Sequence, residues 1–437
     1  MTSLSARDKK IIWHPFTQEK TAFLNVAIKK AEGSYIYDEY NKAYLDLISS
    51  WWVNLHGHAH PDIARSIYDQ ALKLEHVIFA GFTHAPAVEL CENLSELLPK
   101  ELNRFFFSDN GSTSVEVALK MAYQYWHNQN QVERTLFLSF EGGYHGDTFG
   151  AMSVGVRSGF HNLFSGLFFK VLTIPYPETW DEDLNVRSKE DYALSVLNEY
   201  LNEHSHKIAA LIIEPLVQGA SGMRMCRPEF IRTVIEQVRK KDILVIFDEV
   251  MTGFGRTGTY FALEQVSLTP DFLCLSKGIT GGFLPLALTV TSDDIYHAFL
   301  SNEWSYAFAH GHSYTANPLA CAAALASLKL LGQEKTQNAV HSIYQAHKKG
   351  ISYLKANCPN IEYSRVLGTI SAFALKSSYS NFNQLLKLKF LEAGLLIRPL
   401  GNTIYLLPPY SITTDELELA YEKISKIINN EKLRLGT

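Results

Sequence analysis

Leu244-Val245-Ile246-Phe247-Asp248-Glu249, followed by Asp271-Phe272-Leu273-Cys274-Leu275-Ser276-Lys277-Gly278, decides how this chain is read. Both stretches are short, unbroken apolar runs that end in a charge. Runs of that kind belong to strands covered on both faces rather than on one. More of them lie nearby: Arg104–Ser108, Thr135–Phe140, Phe168–Ile174, Ile208–Ile213 and Leu286–Thr291. Helical patterns fall between them, as in Ser112–His127, where Val115, Ala118, Leu119 and Ala122 share one face. Together with Ile243–Phe247 and Phe272–Leu275, the alternation predicts an α/β fold: a mainly parallel seven-stranded sheet flanked by helices.

Outward from this core the pattern changes. Two strand-like runs, Tyr35–Tyr37 and Ala43–Asp46, stand near the start. Beyond Leu331 come a helix, a β-rich stretch at Ile361–Leu375 and a mixed tail. The expected division is a large domain over residues 56–331 and a small α+β domain built from both chain ends, residues 1–55 and 332–437.

Composition excludes several functions. The chain has 437 residues, 46% hydrophobic and 19% charged, enough for one large core and a smaller one. Forty basic and 45 acidic side chains give a net charge of -5 with no basic stripe, so nucleic acid is not an expected partner. Met1–Lys10 lacks the apolar centre of a signal peptide, and Leu284–Val290 is too short to span a bilayer. Cysteines 91, 226, 274, 321 and 358 have no CxxC spacing and suit thiols in a reducing cytoplasm. The run His56-Gly57-His58-Ala59-His60 has no HExxH or carboxylate spacing beside it, and no metal is expected.

Four segments carry chemistry. Asp109-Asn110-Gly111-Ser112-Thr113 joins a strand to a helix, where a glycine and the first amides suit an anion. The same residues suit an ordinary N-cap. Gly142-Gly143-Tyr144-His145-Gly146-Asp147 puts an aromatic pair in a glycine loop, suited equally to a flat ligand or a packed turn. Asp248 ends a strand where α/β proteins bind ligands. Lys277 closes another strand, where desolvation makes an amine nucleophilic. An anion site, a stacking ring, a carboxylate and a lysine are the parts that pyridoxal phosphate requires.

The block Leu244 to Gly258, containing Asp248-Glu249-Val250 and Phe254-Gly255-Arg256-Thr257-Gly258, followed by Ser276-Lys277-Gly278, resembles the class III, fold type I aminotransferases. That resemblance implies pyridoxal 5′-phosphate carried by Lys277, which also shuttles a proton. It implies Asp248 on the pyridine nitrogen, Tyr144 and Val250 on the two ring faces, and His145 beside the cofactor. Gly111 and Ser112 would hold the phosphate, with Ser313 reaching it from a second subunit of a homodimer.

Trp13-His14-Pro15-Phe16-Thr17-Gln18, Ser49-Ser50-Trp51-Trp52 and Ile397-Arg398-Pro399 resemble one branch of that class. This branch aminates 8-amino-7-oxononanoate to 7,8-diaminononanoate in biotin synthesis, by a ping-pong scheme. The resemblance implies substrate roles for Phe16, Trp51, Trp52, Tyr144, Asp147, Arg256, Lys277, Gly311 and Arg398. A long apolar acid suits an aromatic slot closed by an arginine clamp. Phe16 stands where many relatives have tyrosine, so the amino donor is left between S-adenosylmethionine and lysine. The alternative is another class III ω-aminotransferase, for diamines, ω-amino acids or β-amino acids.

Overall fold

The computed structural model describes residues 3–155, 161–376 and 382–429. Its central sheet has seven strands: β1 (Arg104–Ser108), β2 (Leu136–Phe140), β3 (Val171–Ile174), β4 (Ile208–Ile213), β5 (Leu244–Asp248), β6 (Phe272–Leu275) and β7 (Ala287–Thr291). Their order across the sheet is β1-β7-β6-β5-β4-β2-β3. Neighbours from β6 to β3 are parallel, whereas β7 runs antiparallel to both β6 and β1. Every residue of β4, β5, β6 and β7 is buried, which is why these strands read as continuous apolar runs. β3 starts later than Phe168 because the preceding segment, Asn162–Leu167, coils into a 3-10 helix.

Helices cover both faces. α1 (Gly111–Asn128) leaves the carboxyl end of β1 and buries Val115, Ala118, Leu119 and Ala122, the stripe expected from its period. Trp126 Nε1 donates to the Ala209 carbonyl at 2.8 Å, pinning the helix to the sheet. α2 (Pro228–Arg239) places Phe230, Ile231, Val234, Ile235 and Val238 in the core.

The two chain ends meet in a smaller sheet. Ile28–Glu32, Tyr35–Asp38 and Ala43–Asp46 form an antiparallel meander, and Leu395–Leu396 adds to its last strand in parallel. Ile361–Leu367, Ile370–Leu375 and Thr403–Leu406 form a second antiparallel sheet. Among the described residues no helix is long and apolar enough to cross a membrane.

Phe247, the residue before Asp248 in β5, has no exposed surface. Phe247→Ala leaves a void that close-packed neighbours fill only in part. It is expected to cost about 3–5 kcal/mol, read as a fall in the urea midpoint at unchanged slope.

Candidate active site

The carboxyl ends of the parallel strands converge on a cavity of about 470 Å³. Asp248 closes β5 and is almost sealed from solvent. Its Oδ2 lies 2.7 Å from His145 Nδ1, and its Oδ1 accepts from the Val250 amide at 3.1 Å. Lys277 follows β6 at φ 44°, a left-handed conformation that turns its side chain into the cavity. Nζ stands 4.7 Å from the centroid of the Trp52 ring. Among the described residues no side chain hydrogen-bonds or ion-pairs with this amine. Burial holds its pKa below the usual lysine range, with Asp248 and Glu214 opposing.

The anion site is built around the start of α1. Asn110, rather than Ser112 or Thr113, caps the helix, in a reciprocal box with Thr113. This frees Ser112. Its Oγ accepts the amides of Asp147 at 2.7 Å and Thr148 at 3.4 Å, so its own proton is left to donate. A Cβ on Gly111 would meet Val250 Cγ1 at 2.6 Å, and one on Gly146 would meet Ser112 Oγ at 1.7 Å. Both glycines are therefore required by close approach. Tyr144 donates to Asp147 at 3.0 Å and stacks on His161, with centroids 5.6 Å apart and planes at 26°.

The tryptophans sit on a strained turn. Ser49, Ser50 and Trp52 have φ between 50° and 66°, and the short helix at Ser49–Trp52 is irregular. Buried Asp46 holds this turn, accepting from Ile48 N at 3.1 Å and Ser50 N at 2.6 Å while His58 Nε2 lies 2.9 Å away. Trp52 is buried and donates to Tyr405. Trp51 stays 41% exposed and faces Phe16, with centroids 5.6 Å apart. The Arg398 guanidinium lies 4.1 Å over Trp51 and 5.7 Å from Phe16. It has no carboxylate partner among the described residues.

Of the residues singled out from sequence, Trp51, Trp52, Gly111, Ser112, Tyr144, His145, Asp147, Asp248, Val250 and Lys277 line the cavity. Phe16 and Arg398 adjoin it through Trp51. Arg256 is a correction. Its guanidinium is 1% exposed and donates to the carbonyls of Pro408, Trp52 and Asn54, a backbone clamp with no cavity surface. Gly311 and Ser313 lie on an exposed loop outside this chain's own cavity. Sequence reasoning missed Glu214, which follows β4 as Asp248 ends β5, a signal of the same kind. It lines the cavity and accepts the amides of Tyr144 and Gly219, each at 3.0 Å.

The Aminotransferase class-III pattern matches residues 16–428, and the chain belongs to that family. Class III aminotransferases depend on pyridoxal 5′-phosphate. The chain is 49% identical to adenosylmethionine-8-amino-7-oxononanoate aminotransferase of Synechococcus elongatus, over 96% of this chain and 98% of that one. The crystal structure of the protein so named from Methanocaldococcus jannaschii superposes with a TM-score of 0.89 at 36% identity, covering 97% and 98% of the two chains. A PLP-bound amine transaminase from an uncultivated Pseudomonas species superposes at 0.88 and 30% identity, covering 96% and 98%. The residues present fit the cofactor: an unpaired lysine, a strand-end carboxylate, and a helix start whose serine keeps a proton to donate.

Burial pushes the Glu214 carboxyl up to about 7. The folded protein then holds a proton that the unfolded chain has already lost, so this group's contribution to stability falls as pH rises from about 4.5 through 7. Glu214→Gln should remove that slope. Between about pH 5 and pH 8 the cofactor-free wild type should lose on the order of 3 kcal/mol relative to the variant, compared by urea unfolding.

Proposed function

We propose that this chain transfers an amino group to 8-amino-7-oxononanoate, giving 7,8-diaminononanoate for biotin synthesis, with S-adenosylmethionine or lysine as donor. The observation that carries the proposal is Arg398. A half-buried guanidinium stacked on Trp51, with no carboxylate partner among the described residues, is a socket for an anion at the end of an aromatic wall. A long apolar chain ending in a carboxylate satisfies both. The names of the relatives from Synechococcus elongatus and Methanocaldococcus jannaschii support the same substrate.

Pyridoxal phosphate, when bound, supplies an electron-withdrawing ring and a carbon that takes up the amino group and passes it on. The protein does the rest. Lys277 Nζ, its pKa lowered by burial, removes the proton from the donor's α-carbon and later delivers one to carbon 7 of the acceptor. Asp248, held on both oxygens, would keep a proton on the pyridine nitrogen. Ser112 and the first amides of α1 would hold the phosphate. Tyr144 and Val250 would bracket the ring, and Trp52 walls off water beside Lys277.

The assembly we propose is a homodimer in which Gly311 and Ser313 serve the partner's cavity. Ile78, Phe82 and Leu72, exposed at 61%, 62% and 72%, supply apolar surface for such a contact. A second reading, an ω-aminotransferase for simple amines, rests on the likeness to the Pseudomonas amine transaminase.

The test is a pair of half-reactions. Holoenzyme is mixed with S-adenosylmethionine or with lysine, and the visible cofactor band is followed. The band should fade with one donor and return on adding 8-amino-7-oxononanoate. A band that ignores both donors but fades with simple amines would move the protein to the second reading. Arg398→Ala should lower kcat/KM for the oxononanoate about 100-fold, mostly through KM, and leave the donor half-reaction within a few-fold.

A further inference from the structure

Outside the machinery just described, four polar side chains form a line beside the phosphate turn. Lys120 Nζ on α1 lies 3.0 Å from His310 Nδ1. His310 Nε2 lies 3.2 Å from His312 Nε2. His312 Nδ1 lies 3.4 Å from Asp109 Oδ2, and Asp109 lines the cavity one residue before the cap of α1.

The line has a direction. A lysine ammonium has only protons to give, so His310 Nδ1 must accept. Neutral His310 then carries its proton on Nε2 and gives it to His312 Nε2. That fixes the His312 proton on Nδ1, the nitrogen 3.4 Å from the Asp109 carboxylate, where the contact is electrostatic rather than an aligned hydrogen bond. No group of three metal-ligating side chains occurs among the described residues, so an ordered proton is the reading of the 3.2 Å contact.

We propose that Lys120, His310 and His312 are positioning residues for the Asp109 turn, a chain of contacts that opens when His310 takes a second proton. A second proton on His310, at Nδ1, faces the lysine ammonium. The groups around the pair are Lys120 and Glu116 from α1, Asp109 from the turn, and the rings of Phe106 and Phe308. Burial first, then Lys120 and His312, hold His310 below the usual histidine range, against the opposing pull of Glu116. The chain is therefore closed at neutral pH and opens as pH falls through that lowered value. The inference rests on the cofactor reading, since the turn it holds is the proposed phosphate site.

The experiment follows release of cofactor from holoenzyme across pH, by the visible band remaining after gel filtration. Wild type should release it about tenfold faster at the acid end of the range, below the ordinary histidine value of about 6.5, than near pH 7.5. His310→Gln offers an acceptor and a donor but takes no second proton, and should flatten this acid limb. Lys120→Met, on an exposed face, removes a repelling charge and should move the limb to higher pH. Either variant keeping the wild-type profile overturns the chain while leaving the cofactor assignment intact. A wild type that takes up no pyridoxal phosphate at any pH overturns both.

Discussion

The contact between His145 Nδ1 and Asp248 Oδ2, 2.7 Å long and nearly closed to solvent, is the constraint on which the site depends. It ties the loop after β2 to the end of β5, two strands separated in the sheet by β4. A carboxylate buried here without a partner would be costly, so the imidazole is required by the same desolvation that makes the position useful. The second oxygen is held by the Val250 amide, and Val250 in turn abuts Gly111. From one short contact, geometry passes to the ring loop, the phosphate turn and the helix behind it.

Desolvation acts with opposite sign on the groups around that contact. It disfavours charge on Lys277 and on Glu214 alike, so the amine is driven toward its neutral form while the carboxyl holds its proton to about 7. Glu214 also accepts two amides, one from the Tyr144 loop and one from Gly219, where a Cβ would crowd Trp52 and Met251. The same apolar strand ends thus supply both reactivity and rigidity. Burial of β4 to β6 serves the core and the chemistry together.

Much of this was legible in the chain because buried parallel strands leave a strong mark. The seven runs were visible, and so were the charges at their ends, Asp248 and Lys277. Ile28–Glu32 was not, since Ile-Lys-Lys-Ala-Glu is a polar, exposed edge strand with no apolar alternation. The antiparallel course of β7 also left no trace, because a strand covered on both faces reads the same in either direction. Arg256 was placed at the substrate by its motif, yet a motif does not say which way a guanidinium points. In the fold it faces three carbonyls. His161, stacked on Tyr144, carries no sequence signal of its own, since no motif surrounds it and only the fold brings the two rings together.

The strained turn at Ser49–Trp52 has a consequence for how the protein is made. Ser49 Oγ donates to the Leu407 carbonyl at 2.7 Å and Trp52 Nε1 to the Tyr405 hydroxyl at 3.0 Å. The cofactor cradle, by contrast, is drawn from residues between Asp109 and Lys277. As the chain leaves the ribosome, the cradle residues up to Lys277 emerge well before Tyr405 and Leu407, on which the tryptophan turn depends. The parts that hold the cofactor and the wall that faces the substrate are thereby set in place at different moments of synthesis, the second not before Leu407.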